Sequence, residues 1–174
     1  MKKTFFFITL LVITHCATAQ YYISLVPSLT NSPGTLAEKS NLSFEVGKQW
    51  DCFSLGVDYG KTTLGKKVGM DTSNYFELRP NLNIFQQGKF TNTVTIGVGF
   101  IVNAQENFMT EFTSGIEYAH TPLIHFNIYF GQYYYSGKTS ASSTTFFGIS
   151  IMKFFKPYHP KSLIGGGTAA TAEK

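Results

Sequence analysis

The sequence has 174 residues, a formal net charge of +4, 16% aromatic residues and only 14% charged residues. A soluble domain of this size carries nearer a quarter charged residues, so much of the outer surface is not built to face water. The mild basic excess gives no support for nucleic-acid binding, and two cysteines are too few for a disulfide framework.

The chain opens with a leader. Lys2 and Lys3 form a positive n-region, Phe5 to Ile13 an apolar h-region too short to span a bilayer comfortably, and Ala17-Thr18-Ala19 an A-x-A cleavage site. Residues 1–19 are therefore read as a cleavable signal helix, with Gln20 as the mature N-terminus. The residue before Cys16 is His15, where a lipobox calls for a small side chain, so lipoprotein maturation is the weaker route. Cleavage removes two lysines and no acid, so the formal charge falls from +4 to +2. Only Cys52 then remains. It is read as a small packed residue near a turn, with a redox or nucleophilic role as the alternative.

Beyond the leader, apolar and polar residues alternate with period two. Strand one, Tyr21–Leu29, sets Tyr21, Ile23, Leu25 and Leu29 against Tyr22, Ser24 and Ser28. Strand two, Asn41–Lys48, sets Leu42, Phe44 and Val46 against Ser43, Glu45 and Gly47; strand three, Cys52–Gly60, sets Phe53, Leu55, Val57 and Tyr59 against Ser54, Gly56 and Asp58. Strand four, Tyr75–Phe85, is the clearest: Phe76, Leu78, Pro80, Leu82 and Ile84 against Tyr75, Glu77, Arg79, Asn81 and Asn83. Strands five (Asn92–Val102), six (Phe108–Tyr118, the weakest), seven (Leu123–Tyr135) and eight (Thr144–Phe155) repeat the pattern. Lys153 falls on the apolar face of strand eight, close enough to its end to snorkel. Residues 156–174 are rich in Pro, Gly and small side chains and read as a flexible tail.

Two features separate a membrane barrel from a soluble one. The connections after strands one, three, five and seven have roughly 11, 14, 5 and 8 residues, and those after strands two, four and six about 3, 6 and 4. Alternating long external loops and short periplasmic turns, with an even strand number, is the outer-membrane pattern. The polar face, moreover, is Gly, Ser, Thr and Asn rather than Lys and Glu, with Gly47, Gly56, Gly97, Gly99, Gly115, Gly131 and Gly148 all on it. Small residues suit the cramped interior of eight strands. The fold class is all-β: an eight-stranded antiparallel up-and-down transmembrane barrel over 20–155.

On these residues the chain resembles the small eight-stranded outer-membrane barrel superfamily, OmpA-type transmembrane domains and their single-domain relatives, over about Tyr21–Phe155. The stretch Phe146–Phe155 is similar to the aromatic-terminated last strand that barrel assembly machinery reads, which gives Phe147 and Phe155 that role. The chain departs from the pattern in continuing past Phe155. The resemblance implies a Gram-negative outer-membrane location, a monomer, and membrane lipids and lipopolysaccharide as neighbours. Some barrels of this kind modify lipid A with a membrane-facing histidine and serine in an H-x-S-N pattern. His120-Thr121-Pro122 and His125-Phe126-Asn127 do not match it, and nothing in the sequence places a base beside Ser114.

The face assigned to the lumen carries Glu45, Asp58, Glu77, Arg79, Glu111, Glu117 and His125. Five acids around one arginine cannot stay unpaired in a narrow interior, so a salt-bridge network filling the barrel is expected. A cation-preferring path lined by acids is the alternative; catalytic carboxylate pairs are a third, with no spacing to support them. Tyr129, Tyr133, Tyr134 and Tyr135 are read as an interfacial aromatic girdle. Lys61, Lys66 and Lys67 fall in the longest external loop, near the phosphates of lipopolysaccharide. No cofactor or metal motif is present. The expected role is structural or surface-interactive, with loops facing lipopolysaccharide or a partner protein; a narrow pore and a lipid A-modifying enzyme are the alternatives.

Overall fold

In the computed structural model, residues 19–31, 38–62, 73–102, 108–136 and 143–164 are described. They form β1 (Gln20–Asn31), β2 (Glu38–Trp50), β3 (Phe53–Thr62), β4 (Ser73–Gln87), β5 (Phe90–Ile101), β6 (Phe108–Ala119), β7 (Ile124–Ser136) and β8 (Ser143–Phe154). Each strand pairs antiparallel with its neighbours in sequence, and β8 closes on β1. Closure leaves no strand edge unpaired. The strands are those expected from the sequence, with β1, β2 and β4 longer by a few residues and the others within one residue of the expected length. β6, the weakest pattern, is a full 12-residue strand.

Alternation places every second side chain on the same wall face. Leu25, Phe44, Val57, Leu78, Val98, Phe130 and Ile149 point outward and are each about half exposed. In water this would be a contiguous apolar patch far larger than soluble monomers carry. Near the long-loop end, Phe44, Tyr59, Phe76, Phe100 and Phe108 lie in register on five consecutive strands. Adjacent rings pack along this belt, Tyr59 tilted against Phe76 at 4.7 Å and Phe76 stacked on Phe100 at 5.7 Å between centroids.

The tight turns gather on the opposite rim. Asp51-Cys52 joins β2 to β3 and Gly88-Lys89 joins β4 to β5. Gly88 takes φ 60°, which costs a residue without Cβ nothing. Asp51 takes φ 28°. Its carbonyl accepts from Gln49 Nε2 at 3.1 Å and from the Tyr158 hydroxyl at 2.8 Å, and its carboxylate pairs with Lys161 at 2.8 Å. Cys52 sits half-buried in the turn rather than opening β3, and its carbonyl accepts the Asn83 amide at 2.8 Å.

The reading of 156–174 as a flexible tail does not describe 156–164. This segment folds back across the short-turn mouth. Tyr158 is buried at 5% exposure, its ring packed at a tilt 4.7 Å from Phe154 and 5.7 Å from His125. Asn83 Nδ2 donates to the Tyr158 hydroxyl at 3.1 Å and to the Lys161 carbonyl at 3.0 Å. A buried aromatic ring with its hydroxyl satisfied outweighs the entropy of ordering a few Pro-rich residues. Residues 165–174, and residues 1–18, where the signal helix is expected, lie outside the described residues.

Candidate functional site in the barrel lumen

The lumen is built in three tiers. Arg79 on β4 holds the middle one. Its Nε and Nη2 donate to the two oxygens of Glu111 on β6, each at 2.8 Å, and Nη1 donates to Glu45 Oε2 on β2 at 2.6 Å. β2 and β6 are four strands apart in a ring of eight, so one guanidinium ties opposite walls together. The planar fork matches a carboxylate in bidentate geometry, which lysine could not do. Glu45 also accepts from the Tyr22 hydroxyl, and Glu111 from the Thr113 hydroxyl, each at 2.5 Å.

The other acids are placed individually. Asp58 accepts from the Tyr75 hydroxyl at 2.6 Å. Glu117 pairs with His125 Nδ1 at 2.6 Å. No described donor reaches either oxygen of the buried Glu77 carboxyl. The carboxyl of Glu77 occupies the space that a Cβ on Gly97 would take, and the Tyr22 ring does the same at Gly47. The glycines of the polar face are seats for lumen side chains.

The tier toward the long loops is aromatic. Tyr133 and Phe146 stack at 4.2 Å, Tyr75 lies 6.1 Å from Tyr133, and Met109, Tyr129 and Tyr135 are buried beside them. The girdle reading is thus corrected for Tyr129, Tyr133 and Tyr135, which fill the interior; Tyr134 alone of the four points outward. The tier at the short turns is Tyr22, Phe154 and Tyr158 around His125. Between it and Arg79 a cavity of about 40 Å³ remains, touched by Gln49, Glu117 and Asn127. That is room for a little water.

The described structure gathers all seven residues of the expected lumen network: Glu45, Asp58, Glu77, Arg79, Glu111, Glu117 and His125 are all buried in the interior. Sequence reasoning missed Tyr22 and Tyr75 as the donors to Glu45 and Asp58, although both share the faces of those acids. Ser114 faces outward, while His125 lies inside the wall and His120 sits on the short-turn rim between Tyr118 and Phe126. Ser114 and His120 are six residues apart, roughly 20 Å of extended chain. No nucleophile–base pair forms from these residues. Lys61 is exposed at the end of β3; Lys66 and Lys67 lie outside the described residues. Phe147 and Phe155 are both outward and exposed.

An apolar outer wall around a polar interior filled by side chains, with tight turns on one rim, defines the class: the chain has the fold of the small eight-stranded outer-membrane barrels. Solved structures agree. The chain is similar to Neisserial surface protein A, with a TM-score of 0.57 and 11% identity over 78% of this chain and 96% of that one. It is also similar to the N-terminal β-barrel domain of OprF from Pseudomonas aeruginosa, with a TM-score of 0.52 and 14% identity over 78% of this chain and 99% of that one. Likeness at such identity is likeness of fold. No protein-family model matches the sequence, and no curated protein matches it.

Proposed function

We propose that the chain is a monomeric outer-membrane barrel with a closed lumen, and that its role is structural or surface-interactive. The observation that carries this is the Arg79 tie between Glu45 and Glu111, set between two aromatic tiers inside an apolar wall. A guanidinium fixed across the lumen by two carboxylates costs several kcal/mol to displace, so it acts as a plug and not as a filter. The wall anchors the protein in the bilayer, and the four long connections face lipopolysaccharide or a partner surface. Lys61, above the Phe44–Phe108 belt, stands where anionic headgroups would lie. Phe147 and Phe155 serve as the assembly signal on the last strand.

Two measurements test this. In isolated outer membranes the protein should migrate differently on a denaturing gel before and after boiling, as a closed, detergent-resistant barrel does. In a planar bilayer the folded protein should show no steady conductance. Cation-selective steps would replace the closed lumen by a pore. A soluble protein without a mobility shift would remove the membrane assignment altogether.

A further inference from the structure

Among the described residues, the short-turn half of the outer wall carries two lysines on β2 and β8 where apolar groups are expected. Lys48 on β2 and Lys153 on β8 flank β1, opposite Tyr21 and Ile23 respectively. Both lie on the lipid-facing side, among Tyr21, Ile23, Val46 and Phe155. Their Cα atoms are separated by two strand spacings, roughly 10 Å, and by two residues along β1, roughly 7 Å. That separation is within the combined reach of two lysyl chains.

The ammonium of Lys48 is held, not free. It stands 5.3 Å from the ring centroids of both Tyr21 and Trp50, over two aromatic faces. Amphipathic rings of this kind settle at the boundary between hydrocarbon and headgroups. The described outward-facing residues of β8, β1 and β2 on this half of the barrel include no carboxylate. Asp51, the nearest acid in sequence, is engaged by Lys161 at 2.8 Å. Two cations therefore stand at the end of an apolar wall, Lys48 held over two rings, with no carboxylate among the described outward-facing residues to meet them.

We propose that Lys48 and Lys153 form a binding site for the phosphate headgroup of an anionic phospholipid, on the short-turn rim across β8–β1–β2. The phosphate lies over β1 between the two ammonium groups, and the acyl chains run along Ile23, Leu25, Val46 and Ile151. A zwitterionic headgroup is disfavoured because no carboxylate stands ready for its ammonium. The site rests on the membrane-barrel reading, since a soluble protein would never meet such a ligand.

The test uses the full mature chain folded into bilayers of equal phosphatidylethanolamine and phosphatidylglycerol, released gently and weighed with its retained lipid. Folding of each sample is read separately from its mobility shift. Wild type should retain phosphatidylglycerol over phosphatidylethanolamine. The pair K48Q/K153Q should lose that preference by roughly tenfold or more, each single variant in part, and K89Q, a change at a lysine in the β4–β5 turn, should keep it. Equal retention of both lipids by a folded wild type, or an unchanged preference in the folded double variant, would overturn the site while leaving the barrel intact. Displacement of the lipid by inorganic phosphate alone would overturn its assignment to a lipid. Failure of the wild type to shift would overturn the barrel and the site together.

Discussion

Ile164 pairs in parallel with Phe85, at the point where β4 slips its register against β5 between Asn83 and Phe85. The slip leaves the carbonyls of Asn83 and Ile84 available, and they accept the amides of Leu163 at 3.0 Å and Ile164 at 2.9 Å. A bulge in one strand has become the docking point for the segment that succeeds the last one.

Tyr158 is the weight-bearing residue of that segment. Tyr158→Phe keeps the packing on Phe154 and His125 and loses the hydroxyl's bonds to Asp51 and Asn83, for an expected loss of about 1 kcal/mol. Tyr158→Ala should cost about 3 kcal/mol or more, through lost burial and the void left behind. Unfolding midpoints in detergent, read by mobility shift, would check both. Equal midpoints for wild type and Tyr158→Ala would mean that the segment is not docked in solution.

The same residue sets a pH dependence. Burial, with the nearby charge of Glu117 added, pushes the Tyr158 phenol well above the ordinary tyrosine range. The folded state thus favours the neutral phenol. Its stabilising contribution is complete below about pH 10, where an unfolded tyrosine begins to ionise, and is lost as pH rises above that. The unfolding midpoint of wild type should fall more steeply than that of Tyr158→Phe above about pH 10. Parallel curves would refute this.

Arg79→Leu should be the most damaging single change in the lumen. It strips Glu45 and Glu111 of their counter-charge while both remain buried, a cost of about 3–5 kcal/mol. Arg79→Lys should recover only part, because an ammonium cannot span two walls and grip one carboxylate in bidentate fashion. Denaturant titration of the folded barrel in micelles gives both values. A loss under about 1 kcal/mol for Arg79→Leu would show a loose, hydrated interior.

Glu77 makes the opposite prediction. Neither oxygen of its buried carboxyl meets a donor, whereas Glu77→Gln removes the charge and brings a donor of its own. The variant should be as stable as wild type or more so. The comparison of melting midpoints of the two proteins decides it. A loss of more than about 1 kcal/mol would mean that Glu77 is held as an anion by a partner of its own.

The strands were legible because side-chain direction alternates whatever the fold. Phe76, Leu78 and Leu82 could be separated from Glu77, Arg79 and Asn83 by parity alone. Parity assigns a face but no height and no partner across the ring. Tyr129 and Tyr133 could therefore be placed on the polar face and still be misjudged as a rim girdle, and the pairing of Arg79 with Glu45 and Glu111 follows from strand stagger, which parity does not carry. Tyr158 had no periodic neighbours to announce it. It is one aromatic between two prolines, and its burial depends on a mouth that exists only once the barrel is closed.

The strap across that mouth has a consequence for timing. Its contacts are shared among the β2–β3 turn, the bulge in β4, and Gln20 at the start of β1, whose side chain donates to the Pro157 carbonyl at 2.6 Å. All three lie across the β8–β1 seam from β8, the strand that the segment continues. The segment can seat only after β8 has met β1, so it acts as a latch thrown at the end of assembly, and reopening the seam would first require it to be lifted.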